Sequence, residues 1–436
     1  MGGKSGTFYK KGSVIFMKIL WITNQATPDI ASDMGVKPGV GGGWMNLLSK
    51  QLAEGNELTM SFPVANNQSV VTGQAGEIKY YTVPTEKTKL RPSTVIIEHF
   101  KKILTAVQPD VIHIWGTEYV HTYEAVMASE MCGMLDKTVI SIQGMVSVYA
   151  KHFYCGLSKK DFWKPTLRNI IYKNGINRQK NNFVQRGKYE QEALRRVKHV
   201  IGRTDWDEAC TRQLNASVNY HFCNETLRES FYEHEWCIRQ CERHSIFVSQ
   251  AQYPIKGLHK ALEDAAILKR KYPDIHLYTT GLNRMAKGLK AYLKMGDYDR
   301  FIRQTIKRLN LTENVSFLGA LDENAMRKKF LSAQVFVSPS SIENSPNSVG
   351  EAMLLGMPVV SSDVGGVKNM LTHEKEGYVY QADAAYMMAY YIDKIFSDDE
   401  LAVRLGENAR KHAMMTHDKE KNFECLLAIY NDIVSQ

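Results

Sequence analysis

Short β-rich segments alternate with longer helical segments along almost the whole chain, and this alternation constrains the fold more than any other feature. The first segment, Lys18–Thr23, reads KILWIT and is predicted to be a buried strand. Strands that alternate with helices in this way form an open parallel sheet with helices on both faces. The other predicted strands of the first half are Glu57–Phe62, Ile78–Val83, Asp110–Trp115, Thr138–Ile142 and His199–Gly202, and its predicted helices include Trp44–Glu54, Thr94–Val107, Tyr119–Met131 and Phe183–Val197.

The alternation stops and begins again, which indicates two domains. Residues 215–244 are polar, aromatic and rich in cysteine, so we expect a linker with a connecting helix there. We predict domains at 17–214 and 245–416, with a last helix at 417–436. Two doubly wound domains place a ligand cleft between the carboxyl ends of their sheets. The predicted strands of the second half are Ser245–Ser249, Ile275–Thr280, Val315–Leu318, Val335–Ser338 and Val359–Ser361.

Composition excludes several classes of protein. Of the 436 residues, 44% are hydrophobic and 23% are charged, which excludes disordered and fibrous chains. The sequence has no apolar run near the ~20 residues of a membrane-spanning helix, and its N-terminus lacks the apolar core of a secretory signal. The seven scattered cysteines argue against a disulfide framework. We therefore expect a cytoplasmic protein.

Residues 335–366 carry the strongest functional signal: VFVSPSSIENSPNSVGEAMLLGMPVVSSDVGG. A predicted strand ends at Ser338, and a helix holding Glu351 follows a Pro/Ser turn. Small and amide residues at a helix N-terminus leave backbone N–H groups free for a phosphate. Glu343 and Glu351 would repel a phosphate, so we expect them to face ribose or sugar hydroxyls. The alternative is an ordinary helix start with solvated acids.

These residues closely resemble the donor-binding signature of glycosyltransferase family 4. Its members are retaining enzymes of the GT-B fold, in which two Rossmann-like domains face each other across a cleft. The resemblance implies that the first domain binds the acceptor, the second binds the nucleotide-sugar, and the last helix crosses back to the first. It implies that Glu351 holds the nucleotide ribose and Glu343 contacts the donor sugar. The backbone that meets the diphosphate would come from Ser345, Asn347, Ser348 and Val349.

A second match is the segment YPIKGL, which resembles the family's Lys-Gly motif. It implies that Lys256 neutralises the departing diphosphate; a solvated lysine at a helix start is the alternative. Family members commonly carry an arginine a few residues earlier, where this chain has QAQ at 250–252. Arg203, Arg228 and Arg284 are candidates to replace it. Gly281, which closes the strand LYTTG, fits the family's strand-end glycine near the nucleotide.

A third match is the glycine-rich segment PGVGGGW at 38–44. It resembles the family's N-terminal glycine loop, which implies that Gly42 and Gly43 approach the donor phosphate and that Trp44 lies on the acceptor side. A dinucleotide-binding fingerprint is the rival interpretation. It fails because Trp44 stands at the third glycine position and the loop does not directly follow the strand. We therefore discount a dehydrogenase.

Two further strand ends resemble acceptor-domain motifs. Asp110-Val-Ile-His113 is similar to the family's Asp-x-x-His pattern, although His113 could equally be an ordinary strand-end histidine. Ile140–Gly144 aligns with a position where many members have His-Gly, and this chain has Gln143. Glutamine can donate and accept hydrogen bonds but cannot take up a proton. We place His113 and Gln143 on the acceptor side.

The net charge of +9 is concentrated in residues 151–200, where 13 lysines and arginines face three acids and alternate with aromatic residues. This pattern suits an anionic membrane surface, and a solvated helical face with some core aromatics is the alternative. We expect no nucleic-acid partner.

The two Asp-x-Asp triplets, at 205–207 and 297–299, are interpreted as helix caps rather than metal ligands. Cys237 and Cys241 are interpreted as free thiols rather than zinc ligands.

The sequence thus predicts a retaining glycosyltransferase of α/β class and GT-B architecture. It would move a sugar from a nucleotide-sugar to a hydroxyl of a glycan or lipid-linked acceptor. Its catalytic residues would be Lys256 and Glu343, and it would need no metal and no cofactor beyond the nucleotide-sugar itself. Two alternatives stay open: a nucleotide-sugar epimerase of the same fold, and a non-catalytic nucleotide-sugar-binding protein. The missing arginine and Gln143 motivate the second alternative.

Overall fold

Two separate sheets organise the chain. The computed structural model describes residues 16–37, 43–65, 70–85, 90–162 and 165–436, and for Gly43, Trp44, Lys159 and Lys290 it describes the backbone alone. The first sheet has eight strands and the second has six, and helices cover both. The predicted α/β class with two doubly wound domains is confirmed.

The first sheet has the strand order β3-β4-β2-β1-β5-β6-β7-β8, and every pairing except β3 with β4 is parallel. β5, β6 and β7 are buried along their whole length, as apolar strands covered on both faces should be. Its strands are β1 (Lys18–Ile22), β2 (Glu57–Ala65), β3 (Thr72–Ala75), β4 (Ile78–Thr85), β5 (Val111–Trp115), β6 (Thr138–Ser141), β7 (His199–Gly202) and β8 (Asn219–Phe222). Its helices are α1 (Pro28–Asp33), α2 (Gly43–Ala53), α3 (Thr94–Val107), α4 (Val120–Met131), α5 (Val146–Tyr149), α6 (Leu167–Tyr172), α7 (Ile176–Arg196) and α8 (Asp205–Leu214).

The second sheet is wholly parallel, with the order β11-β10-β9-β12-β13-β14. Its strands are β9 (Glu242–Val248), β10 (His276–Thr279), β11 (Val315–Phe317), β12 (Ala333–Ser338), β13 (Val359–Ser362) and β14 (Tyr378–Tyr380). The helices that follow are α9 (Leu258–Leu268), α10 (Leu289–Leu293), α11 (Asp297–Arg308), α12 (Glu323–Ser332), α13 (Asn347–Leu354), α14 (Val367–Met370), α15 (Ala385–Ser397), α16 (Asp399–Thr416) and α17 (Lys419–Ser435).

The last helix, α17, packs on the first domain rather than on the second. Leu426, Ile429, Tyr430 and Ile433 belong to the apolar core on one face of the first sheet. The indole N–H of Trp21 in β1 donates to the Tyr430 hydroxyl at 2.9 Å. The chain therefore crosses between the domains twice, which ties them together at one end of the cleft.

The segment between the sheets differs from the expectation. Instead of a connecting α-helix, residues 215–244 contain the edge strand β8 and a 3-10 helix at Glu229–Phe231. β8 has only partly buried or exposed residues, so its sequence lacks the apolar run by which the other strands are recognised. Pairing with β7, which is a tertiary contact, makes it a strand.

Part of the basic segment is an interdomain contact. Phe153, Phe162 and Ile176 are buried in the core of the second domain, although they belong to the first half of the chain. His259 of α9 hydrogen-bonds to the Cys155 carbonyl at 2.9 Å. The aromatic residues of this stretch thus hold the two domains together, in agreement with the core-aromatic alternative. Among the helices that the structure describes, none combines the length and apolarity needed to cross a bilayer.

Candidate active site

A crevice opens at the carboxyl ends of β9 and β12 in the second domain. β12 is buried along its whole length, so the chain leaves the core directly into this crevice before α13 begins. This is the edge at which parallel α/β sheets bind ligands. The polar residues that line it are Ser249, Gln250, Lys256, Ser338, Ser340, Glu343 and Ser348.

The two residues predicted to be catalytic lie together in this crevice. The Lys256 ammonium is 2.5 Å from one carboxylate oxygen of Glu343, and the Ser340 hydroxyl donates to the same oxygen at 2.7 Å. Burial disfavours the charged lysine, but the adjacent Glu343 carboxylate outweighs this effect and raises the pKa of Lys256 above its usual value. Lys256 is therefore a buried cation at the mouth of the crevice.

Gly257 explains why Lys256 can approach the β12 loop so closely. Its φ is +68°, and a Cβ on it would lie 1.9 Å from the carbonyl oxygen of Pro339. A side chain would therefore push the 3-10 helix Pro254–Lys256 away from the loop. The Ser341 N–H donates to the Ile255 carbonyl at 2.8 Å and fixes the same contact from the other side.

The N-terminus of α13 also borders the crevice, through Ser348. The N–H of Val349 is bonded to the Pro346 carbonyl at 2.9 Å, and the Val349 side chain is fully buried. The backbone N–H of Val349 is thus already bonded within the helix start, and its predicted contact with the diphosphate stays a prediction. The N–H groups of Asn347 and Ser348 make no hydrogen bond within the described residues, so these two are available to an anion.

Glu351 is held by an arginine from the segment between the sheets. Arg228 donates from Nε and Nη2 to the two Glu351 oxygens, at 2.6 and 2.7 Å. Burial raises the pKa of the Glu351 carboxyl, and the guanidinium counteracts that effect. Each oxygen keeps a lone pair that can accept a hydrogen bond from a hydroxyl, and the contact with ribose stays a prediction.

The other two candidate arginines are engaged elsewhere. Arg203 forms a buried ion pair with Glu225 at 2.7 Å. Arg284 is buried, pairs with Asp299 at 2.8 Å, and donates to the Ala251 carbonyl at 2.7 Å. Arg284 therefore reaches the segment where the family's arginine is missing, but Asp299 balances its charge.

Ser345 and Gly281 have different surroundings. The Ser345 hydroxyl donates to the sulfur of Met370 at 3.3 Å and so points to α14. Gly281 follows β10, its N–H donates to the Gly319 carbonyl at 2.8 Å, and its φ is +97°. A Cβ on Gly281 would meet open space, so this strand end leaves room beside it.

His113 does not lie on the acceptor side. It is fully buried within β5, and its two ring nitrogens contact the hydroxyls of Tyr430 (2.5 Å) and Ser141 (2.7 Å). Burial lowers its pKa to about 3, so the imidazole is neutral. The acceptor-side prediction for His113 is therefore wrong, because α17 covers the face to which the histidine points.

Gln143 is also engaged in the protein interior. Its amide donates to Glu225, which accepts from Arg203 as well. This network joins the end of β6, the end of β7 and the segment after β8.

The glycine loop is described only in part. Gly42 lies outside the described residues, Gly43 begins α2, and only the backbone of Trp44 is described.

A cavity of about 440 Å³ lies between the domains, and the sequence did not point to it. The ends of β2 and β4 and the helices α4 and α7 form its walls on the first domain, and Tyr253 closes it from the second. It is therefore adjacent to the segment that carries Lys256. The residues that line it are Asn24, Pro63, Ala65, Thr85, Leu90, Tyr119, Val120, His121, Gln179, Asn182, Phe183, Arg186 and Tyr253.

Several polar atoms in and near this cavity have no hydrogen-bond partner among the described residues. The Arg186 guanidinium lies over the rings of Phe183 (4.7 Å) and Tyr119 (5.4 Å), and its buried Nε has no hydrogen-bond partner among the described residues. Asn24 Oδ1 and Glu118 Oε2 are likewise buried without a partner there. Burial raises the pKa of Glu118 to about 7. Asn24 and Arg186 line the cavity, and Glu118 precedes the lining residue Tyr119 in the chain. Buried polar groups are normally satisfied, so the unpartnered atoms in this lining suit a polar ligand.

Sequence signals existed for two of these residues. Glu118 follows five residues after His113 of the Asp-x-x-His pattern, and Arg186 is one of the 13 cations of the basic segment. Arg186 could not be distinguished from its neighbours, because the stacking that orients it depends on Tyr119, 67 positions away in the chain.

Both Asp-x-Asp triplets serve as structural caps. Asp207 completes a capping box with Thr204 at the start of α8. Asp297 accepts the backbone N–H of Thr166 at 2.9 Å, and Asp299 pairs with Arg284. Within the described residues, no group of three or more His, Cys, Asp or Glu side chains could hold a metal ion.

The domains also touch across the cleft. The Thr204 hydroxyl donates to the Asn344 amide oxygen at 2.7 Å, and a Cβ on Gly366 would lie 2.4 Å from the Thr204 methyl group. Two Rossmann-like domains that meet in this way, with a crevice at the strand ends of the second, have the architecture of the GT-B fold.

Comparison with known proteins agrees with this fold. Residues 237–412 match the family model described as glycosyl transferases group 1. The glycosyltransferase YqgM of Bacillus subtilis, itself uncharacterised, is 27% identical over 195 residues, which are 45% of this chain and 51% of that protein. This chain thus spans about half the length of that relative. The second domain is thus similar to the group 1 glycosyltransferases, in agreement with the family resemblance noted in the sequence.

Solved structures show the same fold over nearly the whole chain. Sucrose-phosphate synthase from Thermosynechococcus elongatus superposes with a TM-score of 0.70 at 16% identity, covering 96% of this chain and 99% of that one. HepE from Anabaena, solved in complex with UDP-glucose, superposes with a TM-score of 0.64 at 16% identity, covering 95% and 99%. The GT-B architecture is thereby confirmed.

Proposed function

We propose that this protein is a retaining glycosyltransferase of the hexosyltransferase type. It would move a sugar from a nucleotide-sugar to a hydroxyl of a glycan or lipid-linked acceptor. The observation that carries the proposal is the Lys256–Glu343 pair, 2.5 Å apart in the crevice beside the start of α13. A cation and free N–H groups suit the phosphates of such a donor, and carboxylate oxygens suit its sugar hydroxyls.

The retaining reaction can be written with these residues. The bond between the anomeric carbon and the diphosphate oxygen breaks while the acceptor oxygen bonds to the same face of that carbon. The acceptor proton passes to the leaving phosphate oxygen. Lys256 stabilises the negative charge that develops on the diphosphate, Glu343 binds sugar hydroxyls and Glu351 binds the ribose. Because Lys256 is paired with Glu343, the incoming phosphate must attract the ammonium away from that carboxylate.

The interdomain cavity is the proposed acceptor site. Asn24 would bind an acceptor hydroxyl, since it lines the cavity and its buried side-chain oxygen has no partner in the described part of the chain. Arg186 would bind an anionic group of the acceptor, such as a phosphate or carboxylate, because a guanidinium matches these groups in charge and geometry. Tyr253 links this cavity to the segment of Lys256.

We further propose that transfer requires no divalent metal and takes place in the cytoplasm. Lys256 and the start of α13 supply the positive groups that a metal supplies in other transferases. All seven cysteines are free, which suits a reducing compartment.

The first experiment is a thermal-shift screen with UDP, GDP, ADP, CMP and dTDP and their sugar conjugates, with and without EDTA. HepE was solved with UDP-glucose, so this donor is tested first. A ligand at 100 times its dissociation constant stabilises by about 2.7 kcal/mol, which the screen detects. We expect one base to give a shift that EDTA leaves unchanged; an EDTA-sensitive shift would contradict metal independence.

The second experiment incubates the best donor with a panel of acceptors. Sugar transfer to a hydroxyl, with retained anomeric configuration by NMR, is the expected result. Conversion of the donor sugar without any acceptor would identify an epimerase. Donor binding without turnover on any acceptor would identify a non-catalytic nucleotide-sugar-binding protein.

A further inference from the structure

Four large apolar side chains of α6 are exposed to solvent. Leu167, Ile170, Ile171 and Tyr172 have exposed fractions between 51% and 70%, and they fill four of the six positions of the helix. Single exposed apolar residues are common on protein surfaces, but a cluster of this kind marks an interaction surface.

α10 of the second domain adds three more exposed side chains: Leu289, Tyr292 and Leu293. Asp297, which follows shortly after α10, accepts the backbone N–H of Thr166 just before α6 and that of Ile176 just after it, at 2.9 and 3.4 Å. One buried carboxylate therefore ties both ends of α6 to the segment that directly follows α10. We call the seven exposed side chains the α6/α10 surface.

Exposed lysines border this surface. Residues 162–180 contain five lysines and arginines and no acid. Residues 282–296 contain Lys287, Lys290 and Lys294, besides Arg284, which is buried and paired with Asp299. Lys173, Lys287 and Lys294 are exposed next to the apolar side chains. The two helices thus present an apolar patch with a cationic border.

We propose that the α6/α10 surface docks on an anionic membrane surface. Apolar side chains with a border of lysine and arginine fit the boundary between lipid headgroups and acyl chains. Anionic lipids attract the cations, and this attraction weakens as salt is added. A second copy of the chain fits less well, since a symmetric contact through this surface would place cations against cations.

The α6/α10 surface lies close to the interdomain cavity along the chain. α7 begins four residues after α6, and its residues Gln179, Asn182, Phe183 and Arg186 line the interdomain cavity. The ten helical steps from Ile176 to Arg186 span about 15 Å. A lipid-linked acceptor held at the membrane could therefore place its polar head in the cavity. This last step rests on the proposed function, whereas docking itself does not.

Co-sedimentation of the full chain with vesicles tests the proposal. The vesicles contain phosphatidylcholine alone or phosphatidylcholine mixed with phosphatidylglycerol. We expect binding to the mixed vesicles only, and weaker binding at high salt. The double variants Ile170→Ser/Ile171→Ser and Leu289→Ser/Tyr292→Ser should each weaken binding on the order of tenfold.

The matched control is Tyr386→Ser/Tyr390→Ser on α15, which removes two aromatic side chains that are 68% and 50% exposed. This variant should bind as the wild type does. All variants should keep the wild-type unfolding temperature, because the changed side chains are exposed.

Absence of binding to the mixed vesicles would overturn the proposal, and so would an equal loss in the control variant. Sedimentation equilibrium tests the alternative that a second copy of the chain binds to this surface. A dimer that only the α6/α10 variants dissociate, without vesicle binding, would make the surface a contact between copies. The vesicles contain neither donor nor acceptor, so vesicle binding without sugar transfer would refute the proposed function and leave the docking intact.

Discussion

Arg228 and Glu351 form a two-pronged ion pair that joins the segment between the sheets to the first turns of α13, with nitrogen–oxygen distances of 2.6 and 2.7 Å. Both side chains are largely buried, and the guanidinium also lies over the ring of Phe231 at 4.6 Å. The helix whose start borders the donor crevice is thus positioned by a residue from outside its own domain.

The Arg228–Glu351 pair should stabilise the fold strongly. Arg228→Met leaves a buried carboxylate without its partner, which should lower the free energy of unfolding by about 3–5 kcal/mol. Denaturant unfolding measures this loss. The double variant Arg228→Met/Glu351→Leu should recover much of it, because no unpaired charge remains. If the single and double variants were equally unstable, packing rather than charge pairing would be the function of Arg228.

Lys256→Ala should reduce kcat/KM for sugar transfer by a factor on the order of 100 or more, since it removes a group that stabilises the departing diphosphate. Glu343→Gln should also impair transfer, because it removes a carboxylate that binds the sugar. Lys307→Ala, an exposed lysine of α11, is the control and should have wild-type activity. Steady-state kinetics with a fixed acceptor measure the effect. Wild-type rates for both Lys256→Ala and Glu343→Gln would refute the catalytic assignment.

Gly257→Ala should be far more harmful than Gly281→Ala. Both glycines have positive φ, at +68° and +97°, so both substitutions cost backbone strain of about 1–3 kcal/mol. The new Cβ at position 257 would also collide with the Pro339 carbonyl, whereas at position 281 it meets open space. Thermal unfolding and activity should both separate the two variants. Equal behaviour would mean that the 3-10 helix can move away from the loop at little cost.

Arg186→Gln should raise the KM for an anionic acceptor by about ten- to a hundredfold, since a hydrogen bond to a charged group contributes about 1.5–3 kcal/mol. Binding of the donor nucleotide, measured by thermal shift, should not change. Arg195→Gln on the same helix is the matched control, because its exposed pair with Glu192 contributes little. An unchanged KM in Arg186→Gln would exclude the cavity as the site of the acceptor's anionic group.

His113 should make the protein less stable in acid. Its pKa is about 3 in the folded protein and about 6.5 in the unfolded chain, so only the unfolded chain takes up a proton as the pH falls below 6.5. The stability contribution of the neutral histidine is complete above pH 6.5 and declines as the pH falls towards 3. By pH 5 the loss should be about 2 kcal/mol.

Denaturant unfolding at pH 7 and pH 5 checks the contribution of His113. His259 and His417 are also buried, and their pKa values are lowered to about 4, so they add to the total loss. The difference between the wild type and His113→Gln isolates the single residue. Equal pH dependence in both proteins would contradict a neutral buried His113.

The donor side was largely predictable, because its signals are local in sequence. The run VFVS forms the buried strand β12, and α13 begins at Asn347 as its small and amide residues indicated. The pairing of Lys256 with Glu343 follows from two strand ends that a parallel sheet brings to one edge. Gly257 is a local signal too, since it stands where a positive φ and a close backbone approach are both required.

The acceptor side and the α6/α10 surface could not be predicted from local sequence signals. The sequence predicted His113 to be an acceptor-side residue at a strand end. In the structure, Tyr430, which follows 317 positions later in the chain, contacts its ring and covers it. Arg228 and Arg186 acquire their roles from partners on other elements of the fold. The sequence by itself determined the two parallel sheets and the chemistry at their strand ends, because apolar runs, glycines and helix starts act over a few residues. Only the tertiary structure decided which charges pair, which cavity opens and which apolar helices stay exposed, because these depend on contacts between distant segments that no local pattern encodes.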